Sequence, residues 1–406
     1  MSKRRPLSNI KITDFTWIGA GSYTTKILAD FGADVVKIES SDRLDSLREA
    51  KPFKDGIPGV NRSGYFADRN SSKRSITVNL KTEEGNALVR RLVKQSDVVT
   101  NNFTPGVMER FGLGYEDVRE IKPDIIYLSM SMHGQDGPEA RYLGYGLTMG
   151  AVAGLHYLCG YEDEEPAGTG TNFPDHVPNP THAAFAVLAA LRYRAKTGKG
   201  QFLDLAQIEP TIALLGPAVI DYTANGIVAS RVGNQHQKVA PHGVYPACGA
   251  DRWIAISAPN QATWQKLLTQ LSSPALGIDS RFIDPLARWE NRVALDRELS
   301  KVTVNFEAAE LGERLQRVGV PAGPVQDAAD VLRDPQLKAR NHWVYLDHPE
   351  MGKTVYSALP VKFSSIESTP TMTAPLLGQH TDEVLIERLG LTLEQIVALR
   401  ERGVLS

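Results

Sequence analysis

Cysteine is almost missing from this chain. Cys159 and Cys248 are the only two in 406 residues, and no C-x-x-C pair exists, which excludes a disulfide framework and a thiolate zinc site. No H-x-x-x-H pair offers the histidine equivalent. Long apolar runs are missing too. The longest, 183–191 and 213–220, fall far short of the roughly 20 residues that span a bilayer, so no membrane role is expected. Neither sign of charge dominates. With 45 Lys and Arg against 47 Asp and Glu the net charge is −2, so nothing global recruits nucleic acid or an anionic membrane. Any polyanionic ligand needs a local basic cluster. G-x-S-x-G and Walker A loops are absent, which removes support for serine-hydrolase and P-loop chemistry. The opening MSKRRPLSNIKITDF is basic but lacks the apolar core of a signal peptide, and the expected compartment is cytoplasmic.

What is present is alternation. Apolar strands read at 9–15, 33–40, 74–80, 96–103 and 124–134, and crossover helices read at 23–32 and 82–95, with short ones near 106–123. Consecutive apolar strands joined by helices imply a parallel sheet, so the fold class expected is α/β, doubly wound. Beyond Gly144, GYGLTMGAVAGLHYLCG is small and apolar and reads as tightly packed helix. An Ala-rich helix from about Thr181 to Ala195 ends at TGKGQ, whose glycines suit a C-terminal cap. FLDLAQI reads as a strand and 209–224 as a long apolar helix. From about 226 the chain is loop-rich, and WIAISA (253–258) opens a smaller α+β unit with helices at 261–272, 284–302 and 306–317. A helical pair closes the sequence.

Two features carry candidate chemistry. Gly19 and Gly21 follow the first strand and Glu39 ends the second, which imitates a dinucleotide fingerprint. The third glycine is replaced by Thr24, so a tight βα turn competes with nicotinamide binding. The second feature is Asp175, a lone acid in the Pro-rich turn of TNFPDHVPNPTHAAFAVLAAL. A helix cap and a catalytic carboxylate are both open readings of it. Lys73, Arg74 and Lys81 flank the third strand, and Arg110 follows the loop at the end of the fourth; phosphates bind at the carboxyl ends of strands in such folds. Solvated surface charge competes with that role for each of them.

Five segments together resemble one family: ILADFGADVVKIE, NSSKRSITVNLKTEEG, SDVVTNNFTPGVMERFGLGYEDVREIKPDIIYLSMSMHGQDGP, FPDHVPNPTHAAFAVLAALRYRAKTGKGQFLDLA and APLLGQHTDEVL. They span nearly the whole chain, in order. Their pattern is similar to class III coenzyme A transferases, the family of formyl-CoA:oxalate and carnitine CoA-transferases. The resemblance implies a CoA thioester as substrate, no prosthetic group and no metal. It implies Asp175 as nucleophile, forming an aspartyl–acyl anhydride and then an aspartyl-CoA thioester. CoA contacts carry over to Ile18, Gly19, Val78, Lys81, Asn102, Phe103 and Arg110, and acid-side contacts to Tyr145 and His176.

The resemblance also implies an interlocked, ring-shaped dimer, either a homodimer or a pair with a homologous subunit. Residues 1–225 would form a large Rossmann-like CoA-binding domain carrying the nucleophile, and 226–330 a linker and small α+β domain. Residues 331–406 would return to complete the large domain. The texture of FPDHVPNPTHAAFAVLAAL resembles members that move CoA from succinyl-CoA to a small dicarboxylate such as malate or citramalate. Formyl-CoA transferases carry an acid next to the tyrosine matching Tyr145, where this chain has Gly146. Their glycine-rich lid is VGNQHQKVAPHG here, and an arginine expected after Glu39 is Ser40. The related α-methylacyl-CoA racemases need a histidine where Tyr145 stands, so a racemase ranks below a transferase. An NAD(P)-dependent oxidoreductase using the Gly19, Gly21 and Glu39 turn competes with the transferase, as does a non-catalytic CoA-binding subunit.

Overall fold

The computed structural model describes residues 5–366 and 369–405. Six parallel strands form one sheet: β1 (Lys11–Asp14), β2 (Asp34–Glu39), β3 (Arg74–Thr77), β4 (Val98–Asn101), β5 (Ile126–Ser129) and β6 (Gln201–Asp204). Their order is β3-β2-β1-β4-β5-β6. The chain therefore reverses direction across the sheet between β1 and β4, the switch point at which such folds open a crevice. Each strand falls on a stretch read as a strand, because runs such as VVKI and IIYL bury both faces. The core on one side gathers Val36, Ile76, Val89, Val99 and Tyr127. On the other, Leu28, Val98, Leu128, Ala183 and Val187 pack together.

Helix boundaries differ more from expectation. The first crossover helix begins at Ile18, not after Gly21, so both fingerprint glycines are helical rather than in a turn. The Ala-rich helix spans Pro178–Thr197 and ends on left-handed Gly198. It starts earlier than expected because proline fits a first helical turn, where no N–H partner is needed. Ala183, Ala184, Val187 and Ala190 are buried, while Phe185 on the opposite face is 74% exposed. The expected long helix at 209–224 is two helices, Ile208–Leu214 and Gly216–Asn225, with Pro217 in the first turn of the second. The stretch beyond Gly144, expected to be tightly packed helix, is helical at Gly146–Val152 and in a short 3-10 turn at His156–Leu158, and Leu147 and Tyr157 are exposed.

The closing helical pair, Thr381–Leu389 and Leu393–Glu401, packs Val384, Leu385, Ile396 and Leu399 into the core beside Val89. It also reaches β3, whose outer side pairs with no other strand among the described residues. The Ser75 N–H donates to His380 Nδ1 and the His380 N–H returns to the Ser75 carbonyl. The Thr77 N–H donates to Thr381 Oγ1, and the Asn79 N–H to the Val404 carbonyl.

The chain divides into two compact units. One holds the segments through His156, Gly168–Ala229 and those from Gln336 onward; the other holds Tyr157–Ala167 and Ser230–Pro335. The second unit has a three-stranded antiparallel sheet, His242–Pro246, Trp253–Ser257 and Ala322–Pro324. Trp264, Leu267, Phe282, Leu295 and Leu311 form its core.

Candidate active site

A cavity of about 510 Å³ opens in the first unit. Its walls come from the chain leaving the carboxyl end of each strand at the switch: Trp17, Ile18 and Gly19 after β1, Arg43 after β2, Val78 and Lys81 after β3, Asn102 and Phe103 after β4, and Met132 after β5. That is where a doubly wound sheet leaves its loops free to diverge. The Trp17 and Phe103 rings meet edge to face at 5.6 Å, and the Arg43 guanidinium lies 5.3 Å from the Trp17 ring centre. Tyr145 and Asp175 complete the wall away from the sheet.

Asp175 occupies a one-turn helix, Phe173–His176, and is only 4% exposed. No lysine or arginine forms an ion pair with it in the described residues. Burial pushes its carboxyl up to about 6, against the backbone N–H of Gly146 and the charge of Arg69, which pull it down. Two glycines make room for it. A Cβ on Gly19 would sit 3.0 Å from Asp175 Cβ, and one on Gly146 would sit 2.8 Å from Asp175 Oδ2 and 2.6 Å from Asn172 Cβ. An acid at 146, as formyl-CoA transferases have, does not fit this packing. The result is a carboxylate pressed between bare backbone segments. It remains mostly ionised at pH 7.

Beneath the first loop lies a second set of buried charges. Asp14 accepts from Thr16 N (2.9 Å), Thr16 Oγ1 (2.6 Å), Thr25 Oγ1 (2.7 Å) and Thr100 Oγ1 (3.0 Å), and pairs with Lys73 at 3.4 Å. Lys37 pairs with Asp45 at 3.0 Å, and all four charged side chains are fully buried. Burial pushes Asp14 up, but Lys73 and Lys37 outweigh it and hold the carboxyl below the usual range. Burial drives Lys73 down to about 8, with Asp14 opposing.

The residues picked out in the sequence are thus mostly assembled. Ile18, Gly19, Val78, Lys81, Asn102, Phe103, Arg110, Tyr145 and Asp175 all line the one cavity. His176 does not: it turns to Tyr65, whose hydroxyl is 2.7 Å from Nε2, and to Thr171 Oγ1 at 3.1 Å. Burial lowers His176 to about 4. Two of the four basic candidates are also elsewhere. Lys73 is internal, and Arg74 is held by Asp34 at 2.6 Å and Glu387 at 2.6 Å. Arg43 was missed. Its signal was a basic residue in the loop after β2, three positions beyond Ser40, where an arginine was expected. Glu39, the acid of the apparent dinucleotide fingerprint, is bound on both oxygens by Arg48 (2.8 and 2.7 Å) and by Ser75 (2.6 Å). Gly21 is explained by packing, since a Cβ there would meet the Thr16 side chain at 2.6 Å. Neither residue is left for a nicotinamide nucleotide.

Residues 7–381 match CoA-transferase family III. Over 401 residues the chain is 32% identical to the succinyl-CoA–D-citramalate CoA-transferase of Chloroflexus aurantiacus, covering 99% of this chain and 98% of that one. It is 31% identical to the succinate–glutarate CoA-transferase of Agrobacterium fabrum, over 95% of this chain and 96% of the other. A crystal structure of a CAIB/BAIF family protein from Brucella suis superposes with a TM-score of 0.87 at 34% identity, covering 95% of this chain and all of that one. With a parallel six-stranded sheet, a cavity at its switch point and this relationship along nearly its whole length, the chain belongs to CoA-transferase family III and is a CoA-transferase.

Proposed function

We propose that the enzyme moves CoA from succinyl-CoA to a small dicarboxylic acid of the citramalate or glutarate kind, with Asp175 as covalent nucleophile. The observation that carries this reading is Asp175, a carboxylate buried in the cavity wall without an ion-pair partner among the described residues. A carboxylate raised to about 6 is more basic than an ordinary aspartate and still mostly ionised at pH 7. Its oxygen attacks the thioester carbonyl, and the C–S bond breaks to leave a succinyl–aspartyl anhydride and CoA thiolate. The thiolate attacks the aspartyl carbonyl, releasing succinate and forming an aspartyl-CoA thioester. The acceptor carboxylate then displaces the thiolate, giving a second anhydride. Attack of the thiolate on the acceptor's acyl carbon yields the new thioester and restores Asp175. No net proton moves.

CoA must stay bound throughout, and Ile18, Gly19, Val78, Lys81, Asn102, Phe103 and Arg110 are the residues we assign to holding it. Lys81 and Arg110, which answer the phosphates, and the Phe103 ring support that assignment. Tyr145 takes the acid side; His176, facing Tyr65, acts from behind the nucleophile. The Gly146 N–H, already directed at the carboxylate, is placed to bond a developing oxyanion. The choice of succinyl-CoA and a dicarboxylate rests on the relatives that bear those names. An interlocked dimer would cover Phe185, Leu188, Ile220 and Tyr222, which are exposed in the single chain. The two free cysteines suit a cytoplasmic enzyme.

The test is direct. Incubation with succinyl-CoA, then hydroxylamine or borohydride, should mark the peptide carrying Asp175. A panel of citramalate, malate, glutarate, mesaconate, itaconate, oxalate and carnitine identifies the acceptor. Transfer activity retained by Asp175→Ala would overturn the mechanism, and a preference for carnitine would overturn the dicarboxylate assignment.

A further inference from the structure

The strain in the first loop sits at one residue. Ile18 has φ +58°, a left-handed conformation that is rare for any side chain and an outlier for a β-branched one. Such a conformation is costly and persists only where surroundings impose it. Here they do. The Ile18 N–H donates to Asp45 Oδ1 at 3.1 Å, an oxygen that also accepts from the Leu47 N–H at 3.1 Å. The other oxygen of Asp45 pairs with buried Lys37, whose Nζ also donates to the Thr16 carbonyl. The preceding peptide is clamped independently, with Trp17 N to Asn102 Oδ1 at 2.8 Å and Asn102 Nδ2 to the Trp17 carbonyl at 2.6 Å.

The next residue is Gly19, whose backbone lies so near Asp175 that an added Cβ would stand 3.0 Å from Asp175 Cβ. Relaxing Ile18 to a right-handed or extended conformation rotates φ by more than about 100°. The Trp17 peptide is fixed on one side, so that rotation swings Gly19 away from the nucleophile. Ile18 itself leaves the cavity wall.

We infer that Asp45 is a positioning residue for CoA transfer: it holds Ile18 in its left-handed conformation and thereby keeps the Gly19 backbone against Asp175. Asp45 is not among the residues lining the cavity, so it acts only through the loop. The inference rests on the proposed role of Asp175 but not on the identity of either substrate. Its test therefore uses whichever acyl-CoA and acid pair the wild-type enzyme turns over. Failure of the mechanism shows in Asp175→Ala; failure of this inference shows in the cycle below.

The experiment crosses Asp45→Ala and Asp45→Asn with Ile18→Gly, because glycine adopts a positive φ at no steric cost. Losing the acceptor in Asp45→Ala should lower kcat at least tenfold while Ile18 is present. The same substitution should cost no more than about threefold on the Ile18→Gly background. Asp45→Asn keeps an oxygen for the Ile18 N–H and should fall between wild type and Asp45→Ala. If Asp45→Ala does not fold because Lys37 is left unpaired, the cycle runs on Lys37→Met/Asp45→Ala, which removes the charge with its partner. Equal loss on both backgrounds, or no loss of kcat, would overturn the inference and leave Asp45 a structural member of the core. Asp45→Asn losing as much as Asp45→Ala would also overturn it, since the charge rather than the bond to Ile18 would then matter.

Discussion

Asp14 and Asp175 lie in the same unit and are almost equally hidden from water, at 0% and 4% exposure. Burial pushes both carboxyls up, yet they end on opposite sides of an ordinary aspartate. Asp14 has two lysines and four hydroxyl or amide donors around it, and it falls. Asp175 has the Gly146 N–H and the more remote Arg69, and it rises to about 6. Burial is therefore not what makes a carboxylate structural or reactive; the donors within reach decide. One acid spends its charge holding the fold, while the other is kept short of partners and stays basic enough to attack.

Removing each acid separates these roles. Asp175→Ala should lower turnover by at least about a thousandfold, since no neighbouring carboxylate stands in; assay of acyl-CoA exchange reads it. Asp14→Ala should act on stability, by about 3–5 kcal/mol, because Lys73 is left buried without its counter-ion, and urea denaturation reads that. Asp175→Asn should have the opposite sign. A group whose folded pKa is raised disfavours the folded state once pH exceeds its unfolded value, and the penalty is complete above the folded value. Replacement by the neutral amide should therefore stabilise the protein by about 3 kcal/mol at pH 8. The gain should shrink as pH falls through about 6 and vanish below about 4, which a pH series of melting temperatures checks.

In the wild type, kcat/KM should rise with pH through about 6 and then level, following ionisation of Asp175. A profile centred near 4 would erase the contrast between the two acids. The smallest effect belongs to the cavity rim. Lys81→Ala and Arg110→Ala should each raise KM for the acyl-CoA about tenfold with kcat little changed, and less so at high salt.

The parallel sheet was legible because VVKI, IIYL and their like can only be strands buried on both faces. The cavity was legible through its address, the carboxyl ends of those strands. What escaped was pairing at a distance. Arg74 looked free to meet a phosphate, but its partners Asp34, Glu383 and Glu387 lie 40 and more than 300 residues away. Lys73, another phosphate candidate, is internal for the same reason, paired with Asp14, 59 residues earlier. Asp175 stood out by its isolation, and it is isolated. Distance from other acids would by itself keep its pKa low, whereas the fold raises it by desolvation, a quantity that no spacing reveals. The turn expected at Gly19–Gly21 is helix, because the chain turns at Ile18 instead, using a conformation that no propensity would assign to isoleucine.

The pairing of β3 with the last two helices has a consequence in time. Until residues 380–404 leave the ribosome, β3 offers the outward donors and acceptors of Ser75, Thr77 and Asn79 to any strand that arrives. More than 300 residues of chain, among them the entire main segment of the second unit, are made in that interval. Completion of the sheet beside Lys81 thus waits for residues 380–404. A chain cut short before residue 380 would carry a sticky edge next to an unfinished cavity.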